Sequence, residues 1–133
     1  MTLVSQGKPA RTKSEAVSCE IENNLYTLYA CPANCRSEVT MLFVVNANGN
    51  TTVNAFWYRA AQNDSFSILG GKNLTSGEFI LLTGATLVLE PGDQLRVMPT
   101  GNATPNIDAM CTVTETFIPV GSRVCWLSIT NTK

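Results

Sequence analysis

The chain has 133 residues, a formal net charge of −1, no histidine and 14% charged residues. That length makes one domain with a core of its own. The charge balance gives no basic footprint for nucleic acid, no apolar run is long enough to span a membrane, and the polar surface must come from Asn, Thr and Ser, residues of turns and sheet faces.

Met1 to Glu15 is polar, with Lys8, Arg11, Lys13 and Glu15 as its charges, and shows neither alternation nor helical periodicity. It reads as an extended arm, residues 1–15, ahead of a single domain, residues 16–133. Lys8, Arg11 and Lys13 are its candidates for contact with a neighbouring subunit. Met1 to Lys8 has no apolar core of a secretory signal, so the expectation is a product that stays in the cytoplasm where it is made. From Ala16 the pattern turns β-like. Val17, Cys19 and Ile21 alternate, and Leu25, Tyr26, Leu28 and Tyr29 follow Asn23-Asn24. Cys31 to Arg36 is a connecting loop.

Glu38 to Val45 is a strong strand that ends at Asn46-Ala47-Asn48-Gly49-Asn50, and Asn-Gly between β-rich runs predicts a hairpin. Its expected partner is Thr51 to Ala61. There Val53, Ala55, Trp57 and Arg59 share one face, and Asn54, Phe56 and Tyr58 the other. Aromatics on both faces put this strand inside a sheet. Gln62 to Ser65 turns the chain, and Phe66 to Leu69 is a short strand stopped by Gly70-Gly71.

Glu78 to Leu82, Thr86 to Leu89 and Gln94 to Met98 are the next strands. Between the last two, Glu90-Pro91-Gly92-Asp93 predicts a type II turn, since Pro presets φ at its second position and Gly supplies positive φ at its third. This turn is read as a hairpin solvated by Glu90 and Asp93. After a polar loop from Thr100 to Pro105, Ile107, Ala109, Cys111, Val113 and Glu115 alternate with Asp108, Met110, Thr112 and Thr114. Arg123 to Thr130 forms a last strand, with Cys125, Leu127 and Ile129 on its apolar face. About eight or nine short strands separated by turn residues make an all-β chain, an antiparallel β-sandwich of jelly-roll or Ig-like type.

The five cysteines are Cys19, Cys31, Cys35, Cys111 and Cys125. An odd number without a secretory signal argues against a disulfide framework. Cys31-Pro-Ala-Asn-Cys35 could be half a zinc site. It would need two more ligands, and the chain offers no histidine. These thiols therefore read as small buried apolar groups, with a Cys31–Cys35 bridge open in an oxidising medium. The missing histidine also removes every Ser-His and Cys-His pair. Glu78, Glu90, Asp93, Asp108 and Glu115 are the carboxylates from which a glycosidase pair could be drawn, but no cleft is recognisable for one. Gly70-Gly71-Lys72-Asn73 lacks the flanking glycine and the helix of a phosphate loop. Trp57, Tyr58, Phe66 and Trp126 fit core packing better than a sugar platform. No catalytic, cofactor-binding or metal-binding residue is assigned, and the chain is read as a non-enzyme without cofactors.

Asn46, the Trp57–Arg59 strand, the run Leu87-Val-Leu-Glu-Pro-Gly-Asp-Gln-Leu-Arg-Val97 and Ile107-Asp108-Ala109 together resemble a class of small virion proteins of tailed bacteriophages. The resemblance spans Tyr26 to Glu115. It implies a virion structural protein, made in the host cytoplasm, whose partners are the major capsid protein or other virion proteins. Within that class the expectation is a capsid decoration (cement) protein that assembles as a homo-oligomer, a trimer at a threefold site. The alternatives are a neck, tail or baseplate component, or a carbohydrate- or receptor-binding β-sandwich module.

Overall fold

The computed structural model describes residues 9–118. The strands are β1 (Ala10–Cys19), β2 (Tyr26–Ala30), β3 (Cys35–Asn46), β4 (Thr51–Arg59), β5 (Asp64–Leu74), β6 (Phe79–Leu89), β7 (Gln94–Thr100) and β8 (Ile107–Phe117). They form two antiparallel sheets of four, ordered β1-β8-β3-β6 and β2-β7-β4-β5. The pairs β1–β8, β2–β7, β3–β6 and β4–β5 are nested, as in one long hairpin. Pairing of β8 with β3 and of β7 with β4 rolls that hairpin into a sandwich. This is the jelly-roll order.

The core lies between the sheets. Strict alternation drives it most plainly in β8, where Ile107, Ala109, Cys111, Val113 and Glu115 are all buried. Val39, Leu42 and Val44 of β3 face Val53 and Ala55 of β4 and Leu95 and Val97 of β7. β4 lies between β5 and β7, inside its sheet as its sequence implied.

Several expectations are corrected. The Asn46–Asn50 and Glu90–Asp93 segments are tight turns, but neither closes a hairpin. Each carries the chain from one sheet to the other, because β3 and β4, and likewise β6 and β7, belong to different sheets. Crossings stack in pairs at the two ends of the sandwich. At one end, Gly92 N–H donates to the Cys31 carbonyl at 3.0 Å and Cys31 N–H to the Asp93 carbonyl at 2.8 Å. At the other, Ala47 N–H donates to the Asn106 carbonyl at 2.9 Å. Among consecutive described strands, only β4 and β5 share a sheet and form a hairpin, turning at Ala60–Asn63.

Two glycine-bearing segments expected to stop strands lie within longer ones. β5 continues through Gly70-Gly71 to Leu74, with Gly71 at φ +77° beside a register shift against β4. β6 is continuous past Gly84, where residues 84–86 stand opposite Thr40 alone. In both places a bulge absorbs the extra residues without ending the ladder.

β1 also begins earlier than expected. It runs unbroken across the Glu15/Ala16 boundary drawn between arm and domain, with Ala10 opposite Thr116 and Cys19 opposite Ile107. Its inward row starts with Arg11, Lys13 and Glu15 before it turns apolar at Val17, so no hydrophobic alternation marks its first half. Lys8 and the strand expected at Arg123–Thr130, with Cys125 and Trp126, lie outside the described residues.

Candidate interaction surfaces and the buried polar groups

Of the proposed contact residues, the structure brings Arg11 and Lys13 together on one carboxylate. The Arg11 Nε–H donates to Glu115 Oε1 at 2.7 Å, and the Lys13 ammonium lies 4.0 Å from Glu115 Oε2 and 3.0 Å from Glu15. Glu115 has no exposed surface, while the Arg11 side chain is 56% exposed. The Tyr29 hydroxyl reaches across from the other sheet to donate to Glu115, and also meets the Ser37 hydroxyl at 2.7 Å. Ser37 continues the chain of contacts to the Cys31 thiol at 3.3 Å. Burial pushes the Glu115 carboxyl up, but the Tyr29 and Arg11 hydrogen bonds and the nearby Lys13 and Arg11 charges outweigh it. The net position is below the ordinary carboxylate value. Tyr29 moves the other way, raised by burial and by its bond to Glu115. This network joins the sheets through a charge held in place, which is a structural role.

Asp93 is buried, not solvating the turn as expected. Its carboxylate accepts from Trp57 Nε1–H at 3.1 Å, from Ala60 N–H at 3.0 Å and from Glu90 N–H at 3.1 Å. One side chain thus fastens the β6–β7 crossing to the β4–β5 hairpin. The crossing itself has the predicted type II character: Asp93 N–H donates to the Glu90 carbonyl at 2.9 Å and Gly92 sits at φ +89°. Asn46 plays the matching part at the opposite end, donating to the carbonyls of Gly49 at 2.6 Å and Leu74 at 2.8 Å. The buried roles of Asp93 and Asn46 escaped sequence reasoning, since turn-forming residues carry no mark of which loop they will fasten.

The other weighed carboxylates have separate partners. Glu90 pairs with Arg36 at 3.1 Å, Asp108 accepts from Ser18 at 2.6 Å, and Glu78 accepts from Thr75 N–H at 2.7 Å. Cys19, Cys31, Cys35 and Cys111 are all buried free thiols. Burial raises each, Cys19 to about 12 and Cys111 to about 11. Among the described residues no group of three or more His, Cys, Asp or Glu side chains is placed to hold a metal. Trp57 and Tyr58 are half-buried on opposite faces of β4. Trp57 packs against Phe66 at 5.9 Å, and the Arg96 guanidinium lies over Tyr58 at 4.1 Å.

The surface that stands out is the outer face of the β1-β8-β3-β6 sheet. Registers place Ala16, Met110, Phe43 and Leu81 side by side across all four strands. Next to that row Val45 stands opposite Phe79, whose ring lies 5.4 Å from that of Phe43. Phe79 is 58% exposed and Leu81 49%. The β1–β8 half of the face is hydroxyl-rich instead, with Ser14 opposite Thr112 and Thr12 opposite Thr114. An apolar patch rimmed by polar residues is the ordinary signature of an interaction surface.

No family profile matches the chain, and no curated protein matches it. Solved structures do share its fold. A chain of the T13 particle of infectious bursal disease virus superimposes with TM-score 0.55 at 12% identity, over 84% of this chain and 31% of that one. This chain thus spans about a third of that longer protein. A chain from the acid-stable capsid of the Helicobacter pylori bacteriophage KHP30 matches with TM-score 0.54 at 12% identity, over 84% of this chain and 94% of its own length. A chain of the disulfide-linked pili called Bacillus endospore appendages matches with TM-score 0.52 at 11% identity, over 89% and 97%. At these identities the likeness is one of fold, a single jelly-roll sandwich.

Proposed function

We propose that the chain is a non-enzymatic structural protein of a virus particle, and within the particle a decoration (cement) protein of the capsid. The observation that carries this reading is the match to a bacteriophage capsid chain over nearly its whole length. The internal chemistry fits it. The carboxylates weighed for catalysis each serve a strand or a turn, which leaves the outer faces and edges of the sheets for contacts with others. In this role the sandwich is a rigid body, and its contacts with the major capsid protein tie shell subunits together. A standard interface buries about 1,600 Å², and repetition over a shell multiplies a modest affinity. A closed homo-oligomer, a trimer at a threefold position, matches the symmetry of such a shell.

The N-terminal segment offers a further, narrower contact. Arg11 and Lys13 are engaged with Glu115, so among the described residues of the arm the half-exposed Arg11 side chain is the one offered to a neighbour.

Quantifying the chain against the major capsid protein in purified particles tests the assignment. A decoration protein gives copies in the hundreds, and a neck or tail component gives about three to twelve, as shell and ring symmetry require. Absence from purified particles would sink the virion reading altogether.

A further inference from the structure

Four strands have a free edge among the described residues: β1, β6, β2 and β5. Exposed edges invite pairing with other chains, and proteins blunt them with charge, proline or shortness. β1 carries Arg11, Lys13 and Glu15, β5 carries Asp64 and Lys72, and β2 has five residues. β6 has none of these devices. Its eleven residues, Phe79-Ile-Leu-Leu-Thr-Gly-Ala-Thr-Leu-Val-Leu89, include neither a charge nor a proline.

β6 is apolar on both sides as well. Phe79, Leu81 and Val88 face outward, opposite Val45, Phe43 and Glu38 of β3. Leu82, on the inward side, is still 39% exposed. It borders an open cavity of about 210 Å³ between the sheets, which Val39, Leu42, Ile68, Leu87 and Leu95 also line. Such a lining is dry enough to favour an apolar side chain over water. A partner that covers this edge must therefore present a strand with apolar side chains on both faces. Of the four edges, β6 itself is the one with that pattern. Like the shorter β2 it carries no charge, so it meets its own copy without bringing like charges together.

We infer that β6 is a self-association edge, at which two copies of this chain pair antiparallel about a twofold axis and join their β1-β8-β3-β6 sheets into one. The regular part before the bulge, Phe79–Thr83, sets the register. Centred on Leu81, it places Phe79 opposite Thr83 of the second copy, Ile80 opposite Leu82, and Leu81 opposite its own equivalent. The contact is isologous, as a twofold pair requires, and is separate from the threefold contact proposed for the shell; it uses main-chain bonds for affinity and flanking side chains for specificity. It leaves the hydroxyl-rich β1–β8 half of the face free for other contacts.

The test uses the isolated full chain, so its outcome is separate from whether the protein belongs to a particle. The parent and the variants Leu81→Lys and Leu81→Glu are compared by sedimentation across micromolar concentrations. Circular dichroism verifies the fold of each. The parent associates, and each variant associates at least about tenfold more weakly, a 1.4 kcal/mol effect. An equimolar mixture of the two variants regains association at low salt and loses it at high salt, because Lys now faces Glu. As a second measurement, Leu81→Cys copies cross-link to each other under mild oxidation and Arg59→Cys copies, on the other sheet, do not. A monomeric parent overturns the proposal, as do charged variants that associate like the parent or a mixture that stays apart. So does loss of association on removal of residues 119–133 with Leu81→Lys still associating, which would assign the contact to the C-terminal segment.

Discussion

Glu115 has no contact with solvent, yet its partners hold it ionised. Its folded position lies below the ordinary carboxylate value of about 4.3, because the donors from Tyr29 and Arg11 and the Lys13 and Arg11 charges outweigh burial. In that window the unfolded chain binds the proton more readily, so stability rises with pH. The contribution is full above the unfolded value and disappears as pH falls through the folded one. Glu115→Gln keeps the shape and removes the charge. It should lower stability at neutral pH by about 1–3 kcal/mol, as for a charged hydrogen bond left half-made. The difference between parent and variant should then shrink as pH falls below about 4. Thermal melts from pH 7 to pH 3 measure it, and a constant gap would show that Glu115 is not held charged. Asp93 makes a sharper case at neutral pH. Asp93→Ala leaves the Trp57, Ala60 and Glu90 donors without their acceptor, and should cost about 3 kcal/mol in denaturant titration. Gly92→Ala strains the same turn. Its φ is +89° and a Cβ would come 3.2 Å from that of Ala60, so about 1–2 kcal/mol is expected.

At the scale of elements, legibility followed the hydrophobic pattern and stopped where a polar pattern replaced it. β8 was readable because Ile107, Ala109, Cys111 and Val113 alternate with mostly polar residues, and β4 because aromatics on both faces mark an interior strand. The first half of β1 has no apolar alternation: its inward row is Arg11, Lys13 and Glu15, of which Arg11 and Lys13 answer Glu115 on the neighbouring strand. A single sequence window holds one side of that ion pair. Turn chemistry was readable as local geometry: positive φ at Gly49 and Gly92 is what Asn-Gly and Pro-Gly imply. Which sheet receives the next strand is set by pairing between distant segments, so two crossings looked like hairpins. The bulges at Gly71 and Gly84 looked like strand ends because glycine marks both. The position of β1 changes how the N-terminus has to be probed. Deleting residues 1–8 leaves the described fold whole and should shift the melting temperature little. Deleting residues 1–15 removes Arg11 and Lys13 and uncovers one side of β8, and should destabilise the chain by several kcal/mol, the scale for stripping one partner from a buried charge. Equal melting temperatures for the two deletions would mean that β1 before Ala16 contributes nothing.

For the whole molecule, the nested pairing means that few contacts are local. Arg11 and Glu115, which bond directly, are 104 positions apart in sequence. Among the described strands only the β4–β5 hairpin can close early, and β1 can find β8 only after the chain has rolled up. Topologies of this kind fold on the millisecond-to-second scale, since loop closure must precede the contacts that reward it. No part of the sandwich has a core of its own, because each sheet supplies one wall of the same interior. A domain of this size should then unfold in one cooperative step. The buried cysteines offer a test of that cooperativity. Cys19 and Cys111 sit on adjacent strands, Cys31 and Cys35 at one sheet crossing, and all four are buried. Burial also keeps Cys19 and Cys111 as unreactive thiols, raised to about 12 and about 11. At pH 8 a thiol reagent should therefore leave these two sites unlabelled in the native protein. With rising denaturant, both should become reactive together with Cys31 and Cys35, over the same range in which tryptophan fluorescence changes. Mass spectrometry of labelled peptides distinguishes the sites. Labelling of Cys31 and Cys35 well before Cys19 and Cys111 would mean that the crossing end of the sandwich opens by itself, and that the molecule is not the single rigid body its proposed role requires.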